Sequence, residues 1–204
     1  QSEAWAAGGW VGLKTGYFRN RLSLGATGYL SMPVYAPDDK DGTLLLQPGQ
    51  DGYAVIGEIY GDFRITDQVH ANLGRKAYDT PYINRNDVRM SPNTFEAYSI
   101  TGLHGGQDGA AEWRWGVGYF DKIKERNSDE FVSMSEDAGA DVDRGVYAFG
   151  GNYKKGDFSL GAVNYYSDDI INIFYTEARY AVPLSEKTRL QFAAQYTDQQ
   201  STGD

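Results

Sequence analysis

The chain has 204 residues, a formal net charge of −9 and no cysteine, which excludes a disulfide framework, a thiolate metal site and the clustered Lys/Arg surface that nucleic acid requires. Gly (25) and Tyr (16) are abundant and Pro (6) is scarce, so neither a collagen-like nor a disordered chain fits. No apolar run approaches the ~18 residues of a membrane-crossing helix, yet a mean hydropathy of −0.55 is compatible with a membrane β-barrel, whose strands turn one face to lipid and one to water.

The opening QSEAWAAGGW has no basic region followed by an apolar core, so it does not read as a secretory leader. The expectation is a leader already removed or a chain that begins inside a longer protein. In 4–17, Trp5, Ala7, Val11, Leu13 and Tyr17 alternate with Gly8, Gly12, Lys14 and Gly16. After a short turn at Arg19-Asn20, the even positions of 21–32 (Leu22, Leu24, Ala26, Leu30, Met32) oppose Arg21, Ser23, Thr27 and Ser31. Period two is strand behaviour.

The long loop 34–51 carries Asp38, Asp39, Asp41 and Asp51 against Lys40. Its PDDKDG resembles a calcium loop, but Pro37 and Pro48 stand where an EF-hand needs acids. In 53–65, Tyr53, Val55, Ile59, Phe63 and Ile65 oppose Glu58, Asp62 and Arg64. A tight turn at 66–68 leads to a strand over 69–79, the polar stretch 81–94 and a strand over 95–104. The turn 105–109 precedes 111–122, where Ala111, Trp113, Trp115, Val117 and Tyr119 face away from Glu112, Arg114, Gly116, Gly118 and Lys122. Loop 124–144 has seven acids against Lys124, Arg126 and Arg144. Strands over 145–154, 158–167 and 171–182 follow, and 189–197 sets Leu190, Phe192, Ala194 and Tyr196 against Arg189, Gln191, Gln195 and Thr197.

Ten antiparallel strands are therefore expected, in an all-β, up-and-down transmembrane barrel. Short turns on one side and long loops on the other support that reading; a soluble β-sandwich, which also has short strands and Gly-rich turns, need not alternate its loop lengths. Loops 34–51 and 124–144 hold seven of the nine excess negative charges, which leaves the strands near neutral. Lys14, Arg21, Arg64, Arg114, Lys122, Arg179 and Arg189 share the polar faces of their strands. If the sheet closes, they line the lumen and focus a field on anions. Trp113, Trp115, Phe192 and Tyr196 should face lipid, with aromatics near strand ends forming an interfacial girdle. His70 and His104 have no Cys or His at ligand spacing, and no nucleophile motif or phosphate-cradling Gly loop occurs. No catalytic residue, metal or cofactor is expected.

GRKAYDTPYINRNDVRMSPNTFEAY (74–98), with Thr80-Pro81, Asp87, Arg89, Pro92 and Thr94 in order, resembles the OprD family of outer-membrane porins, the substrate-specific carboxylate channels of Gram-negative bacteria. YAPDDKDGTLLLQPGQDGY (35–53), RNSDEFVSMSE (126–136) and GDFSLGAVNYYSDDIINI with YAVPL (156–184) extend the likeness over nearly the whole chain. The resemblance implies a barrel of roughly eighteen strands, like porins of 16–18 strands, of which 1–204 is one incomplete segment. It implies an inward-folded constriction loop at 81–94, while 34–51 and 124–144 extend outward. In that loop Asp87 and Arg89 present opposite charges at the narrowest point, with Arg85 nearby and Tyr82, Tyr78 and Phe95 against the apolar part of a solute. It further implies a basic wall ladder, passive diffusion of small carboxylates, and lipid and lipopolysaccharide as surroundings; self-association of barrels stays open. The alternatives are a complete ten-stranded barrel with enzymatic or adhesive loops, as in the omptin proteases, and a soluble β-sandwich.

Overall fold

The computed structural model describes residues 1–185 and 187–203; Glu186, within the expected turn 183–188, and the terminal Asp204 lie outside the described residues. Ten long strands form a single antiparallel sheet: β1 (Trp5–Lys14), β2 (Leu22–Tyr35), β3 (Tyr53–Thr66), β4 (Val69–Lys76), β5 (Thr94–Gly105), β6 (Glu112–Lys124), β8 (Val146–Lys155), β9 (Phe158–Ser167), β10 (Ile171–Ser185) and β11 (Thr188–Ser201). A two-residue strand, β7 (Val132–Ser133), pairs with β6, and one short helix, α1 (Met134–Asp137), follows it. Every long strand hydrogen-bonds its neighbour in sequence, as hairpin connections dictate. No second sheet packs on the first among the described residues, which removes the sandwich.

The connections alternate as expected. Two-residue turns at 67–68 and 156–157 lie at one rim, with the Arg19-Asn20 turn, whose two residues both have positive φ (48° and 57°) as a primed hairpin turn requires. Loops 36–52, 77–93 and 125–145 lie at the other.

A flat sheet of ten strands would put β1 and β11 about 43 Å apart at ~4.8 Å per spacing. Yet one loop, 77–93, reaches both ends. Tyr82 Oη donates to Thr197 Oγ1 in β11 at 3.3 Å, and Met90 Cε lies over Gly8 in β1. The sheet therefore curls around that loop, which defines its concave side.

On this face lie Ser23, Tyr29 and Ser31 of β2, Asp62 and Arg64 of β3, Ser99 and Thr101 of β5, and Gly116 and Gly118 of β6. The other parity carries exposed Leu24, Leu30, Met32, Ile59, Phe63, Ile100, Trp113, Trp115, Val117, Phe149, Leu160, Phe192 and Tyr196. Aromatic clusters mark both ends of this convex band: Trp113 with Tyr153 and Phe158 near the short turns, Tyr119 with Tyr147 near the long loops. Trp10 is an exception among the tryptophans: it shares the parity of Gly8, Gly12 and Lys14 and sits on the concave face beside Thr27 and Gly12.

Two bulges shift the faces. The ladder pairs Thr27 with Glu58 and Gly28 with Ile56, so Gly57 is the extra residue. Tyr53 is consequently buried on the concave side rather than aligned with Ile59 and Phe63. Likewise Glu96 pairs with Lys122 and Ala97 with Phe120, skipping Asp121. A one-residue slip moves every following side chain to the other face. Pro33 and Pro183 both fall at register irregularities near strand ends, where a missing N–H is tolerated.

Arginine in place of Val117, mid-strand on the convex face, is expected to destabilise the full-length barrel in a bilayer by about 2–4 kcal/mol. Arginine in place of Thr101, on the neighbouring strand but facing inward, should cost below about 1 kcal/mol. Denaturant titration in liposomes measures both; equal losses would mean the two faces are misassigned.

Candidate functional site

The loop 77–93 has almost no ladder of its own, so side chains hold it in place. Its entry is fixed by Glu58, whose Oε1 accepts from Ala77 N at 3.0 Å while Oε2 accepts from Thr27 Oγ1. A local fold follows: Asp79 bridges to Asn84, Thr80 N donates to Ile83 O, and Arg85 Nε pairs with Asp79 at 2.8 Å. Ile83 is then pressed into an apolar cluster with Phe95, Ala97, Phe120, Ile123, Ala148 and Tyr165. Tyr165 Oη donates to Thr80 Oγ1 at 2.8 Å, and the Tyr82 ring stands edge-on to Tyr165 and Tyr175. The loop thus lies across the concave side.

A cleft beside the loop is lined by Tyr82, Arg85 and Asp87 on one side and Glu177, Arg179 and Gln195 on the other. Beneath the loop, toward the short turns, opens a cavity of about 570 Å³ floored by Gly116, Gly118 and Gly150 and bordered by Tyr78, His70 and Arg114. Opposite charges do line the cleft, but beside Asp87 its cations are Arg85 and Arg179. Arg89 is turned away: its Nε donates to Thr43 O in loop 36–52 at 3.1 Å and an Nη to Val88 O. Asn86, three residues earlier, has a positive φ (42°), and its C=O accepts from Val88 N at 2.8 Å. Phe95 is 2 % exposed behind Tyr78, so it props the loop and cannot meet a solute. Loop 36–52 also departs from the expected outward course, since Ser31 Oγ on the concave face donates to Leu45 O and Leu46 is buried.

Of the seven basic wall residues, Lys14, Arg64, Arg114, Arg179 and Arg189 have concave parity. Each stands near an acid: Lys14 with Asp62 (3.8 Å), Arg64 with Asp67 (4.0 Å), Arg114 with Glu112 (2.8 Å), Arg179 with Glu177 (3.2 Å) and Arg189 with Asp157 (3.4 Å). Arg21 sits in the first turn and donates to Ile65 O. Lys122 is a correction. Past the Asp121 bulge it pairs with Glu96 and lines a separate cleft with Phe131, Glu136 and Asp143 of the loop after β6.

Sequence reading missed Lys76. Its ammonium lies 5.0 Å from the Tyr60 ring, donates to Asn72 Oδ1 at 3.0 Å and has no ion pair among the described residues. Its even parity with His70 and Asn72 was the available signal. His70 has a structural setting: Nδ1 is 2.8 Å from Asp62 Oδ1, while Tyr17 Oη donates to Asp62 Oδ2 at 2.7 Å. His104 lies parallel to Trp115 beside Gln68. No cluster of metal-ligating side chains occurs among the described residues.

The model of an outer-membrane porin family, OprD, matches residues 1–204. Among solved structures the chain is similar to Pseudomonas aeruginosa OccK9 (OpdG), with a TM-score of 0.82 and 24% identity over 99% of this chain and 53% of that one. It is similar to Acinetobacter baumannii OccAB3 at a TM-score of 0.82 and 19% identity, covering 99% and 52%. It is also similar to P. aeruginosa OpdK solved with vanillate, at 0.78 and 18%, covering 99% and 53%. The chain spans about half the length of these proteins. No curated protein matches it.

Replacing Ile83 with Ala should cost about 2–4 kcal/mol of loop packing, felt locally. Trypsin should then cut the full-length protein at Arg85 or Arg89 well before the barrel unfolds. A wild-type cleavage rate in I83A would mean Ile83 does not hold the loop.

Proposed function

The chain belongs to the OprD family of outer-membrane porins, and from that premise we propose that it forms the part of a channel wall that selects small carboxylate-bearing solutes during passive diffusion. The observation that carries this is the inward course of 77–93 above a wall of basic residues. Such a loop narrows a lumen, and cations below it favour anions in a space walled by low dielectric. OpdK, solved with vanillate, an aromatic carboxylate, supplies supporting analogy.

In this reading residues 81–94 are the constriction. Asp87 and Arg85 offer an acceptor and a donor at its edge, Tyr82 and Tyr78 offer ring faces, Arg114 and Arg179 line the space beside and beneath it, and Arg64, Lys14 and Arg189 share the concave face nearer the periplasmic turns. Guanidinium suits the task because its planar fork engages both carboxylate oxygens. The convex band sits in the bilayer, and the acid-rich long loops meet the lipopolysaccharide leaflet.

The test is charge reversal in the full-length channel. Arg114→Glu with Arg189→Glu should lower acetate flux about ten-fold at low salt while a neutral sugar of similar size is little affected. The difference should shrink at high ionic strength, where the Debye length falls to ~3 Å at 1 M. Equal losses for both solutes at every salt concentration would show that these arginines only support the wall.

A further inference from the structure

We propose that Lys124 is a positioning residue that sets the channel's aperture, locking the exit of the inward loop to the loop that follows β6. The inference rests on the reading of 81–94 as the constriction. Lys124, the last residue of β6, is 0% exposed, the most buried charged side chain among the described residues. It has no carboxylate within 4.0 Å there. Instead its Nζ faces three oxygens: Glu125 O at 2.8 Å, Ser91 Oγ at 3.3 Å and Ser128 O at 3.3 Å. Three donors thus meet three acceptors. The rings of Tyr29 and Tyr53, each 6.0 Å away, complete the surround.

Ser91 belongs to the inward loop; Glu125 and Ser128 belong to the loop after β6. The two are tied again around Lys124. Ser91 Oγ and Tyr53 Oη both donate to Arg126 O at 2.8 Å, and Arg126 N donates to Asn93 Oδ1 at 2.8 Å. The cation makes this knot cooperative. A buried ammonium short of oxygen partners is costly, so the inward loop cannot leave the outer loop without taking away one of the three acceptors of Lys124. The entry of the loop is held separately by Glu58. Lys124 therefore governs the arm from Asn84 to Asn93, which carries Arg85 and Asp87 to the cleft. Being wholly buried, it acts only through that arm.

The experiment compares wild type, Lys124→Met and Ser91→Ala of the full-length channel in planar bilayers, reading single-channel KCl conductance, current noise and acetate flux against a neutral sugar. Thermal denaturation in detergent checks that each barrel is folded. Both variants should remain folded, conduct about two-fold more with greater noise, and discriminate acetate less. Should Lys124→Met fail to insert, Ser91→Ala decides alone. Folded variants with wild-type conductance, noise and selectivity, even if less heat-stable, would overturn the proposal and leave Lys124 a stability residue. A wild-type channel with no preference for acetate would instead overturn the carboxylate reading, while the conductance change would still report on Lys124.

Discussion

In hydrocarbon no water is available to hydrogen-bond the backbone, so every N–H and C=O must be satisfied within the fold. The sheet answers this by the simplest connection, each strand against its neighbour in sequence, from β1 through to β11. The rest follows. A strand that must be fully paired cannot choose its face residue by residue; it alternates, so lipid-facing Leu, Ile and aromatic residues are interleaved with Ser, Thr, Gly and charged ones. Departures from pairing are confined to strand ends and bulges, where Pro33 and Pro183 are found.

The same constraint explains why the inward loop is built differently. It lies inside the curved sheet rather than in lipid, so its backbone need not join a ladder. It gains order from Ile83 in the apolar cluster, from Tyr82 and Tyr165, and from polar ties at both ends. At its far end the inward loop is tied to two other loops of the rim. Arg89 grips loop 36–52 through Thr43 O, Ser91 and Asn93 grip the loop after β6, and Gln47 Nε2 joins those two loops at Asp129. The long-loop rim is therefore one connected assembly, and movement of any of its loops is felt by the others.

Much of the wall was legible because period two survives wherever the ladder is regular. In β2 and β11 the sequence parity and the observed faces agree residue by residue, and Trp10 lies on the face of Gly8, Gly12 and Lys14, whose even parity it shares. Legibility fails where a single residue is inserted. Nothing in YAVIGEIYGDF announces that Gly57 is a bulge, and without it Tyr53 has the parity of Ile59. Asp121 does the same to Lys122. The loop was readable as a motif but not as a path. That Arg89 would reach Thr43 O rather than stay in the cleft with Asp87 and Arg85 has no local signal, and the role of Lys124 depends on Ser91, 33 residues away.

The pairing of wall cations with acids looks at first like cancellation of the field that a carboxylate would follow. The geometry argues otherwise. Glu112-Trp113-Arg114 and Glu177-Ala178-Arg179 place acid and base two residues apart on a strand, hence on one face. Arg114 binds Glu112 through Nε, which leaves both terminal nitrogens without a partner among the described residues. A guanidinium has five donors and one carboxylate cannot occupy them all. Two of the acids are more closely engaged: Asp62 accepts from Tyr17 and stands against His70 and Lys14, and Glu177 Oε2 accepts from Tyr175 and Arg179. Glu112 and Glu177 thus stiffen Arg114 and Arg179, lowering the entropy lost when a solute binds. A wall with nearly balanced charge can in this way still present pre-oriented guanidinium donors to the lumen.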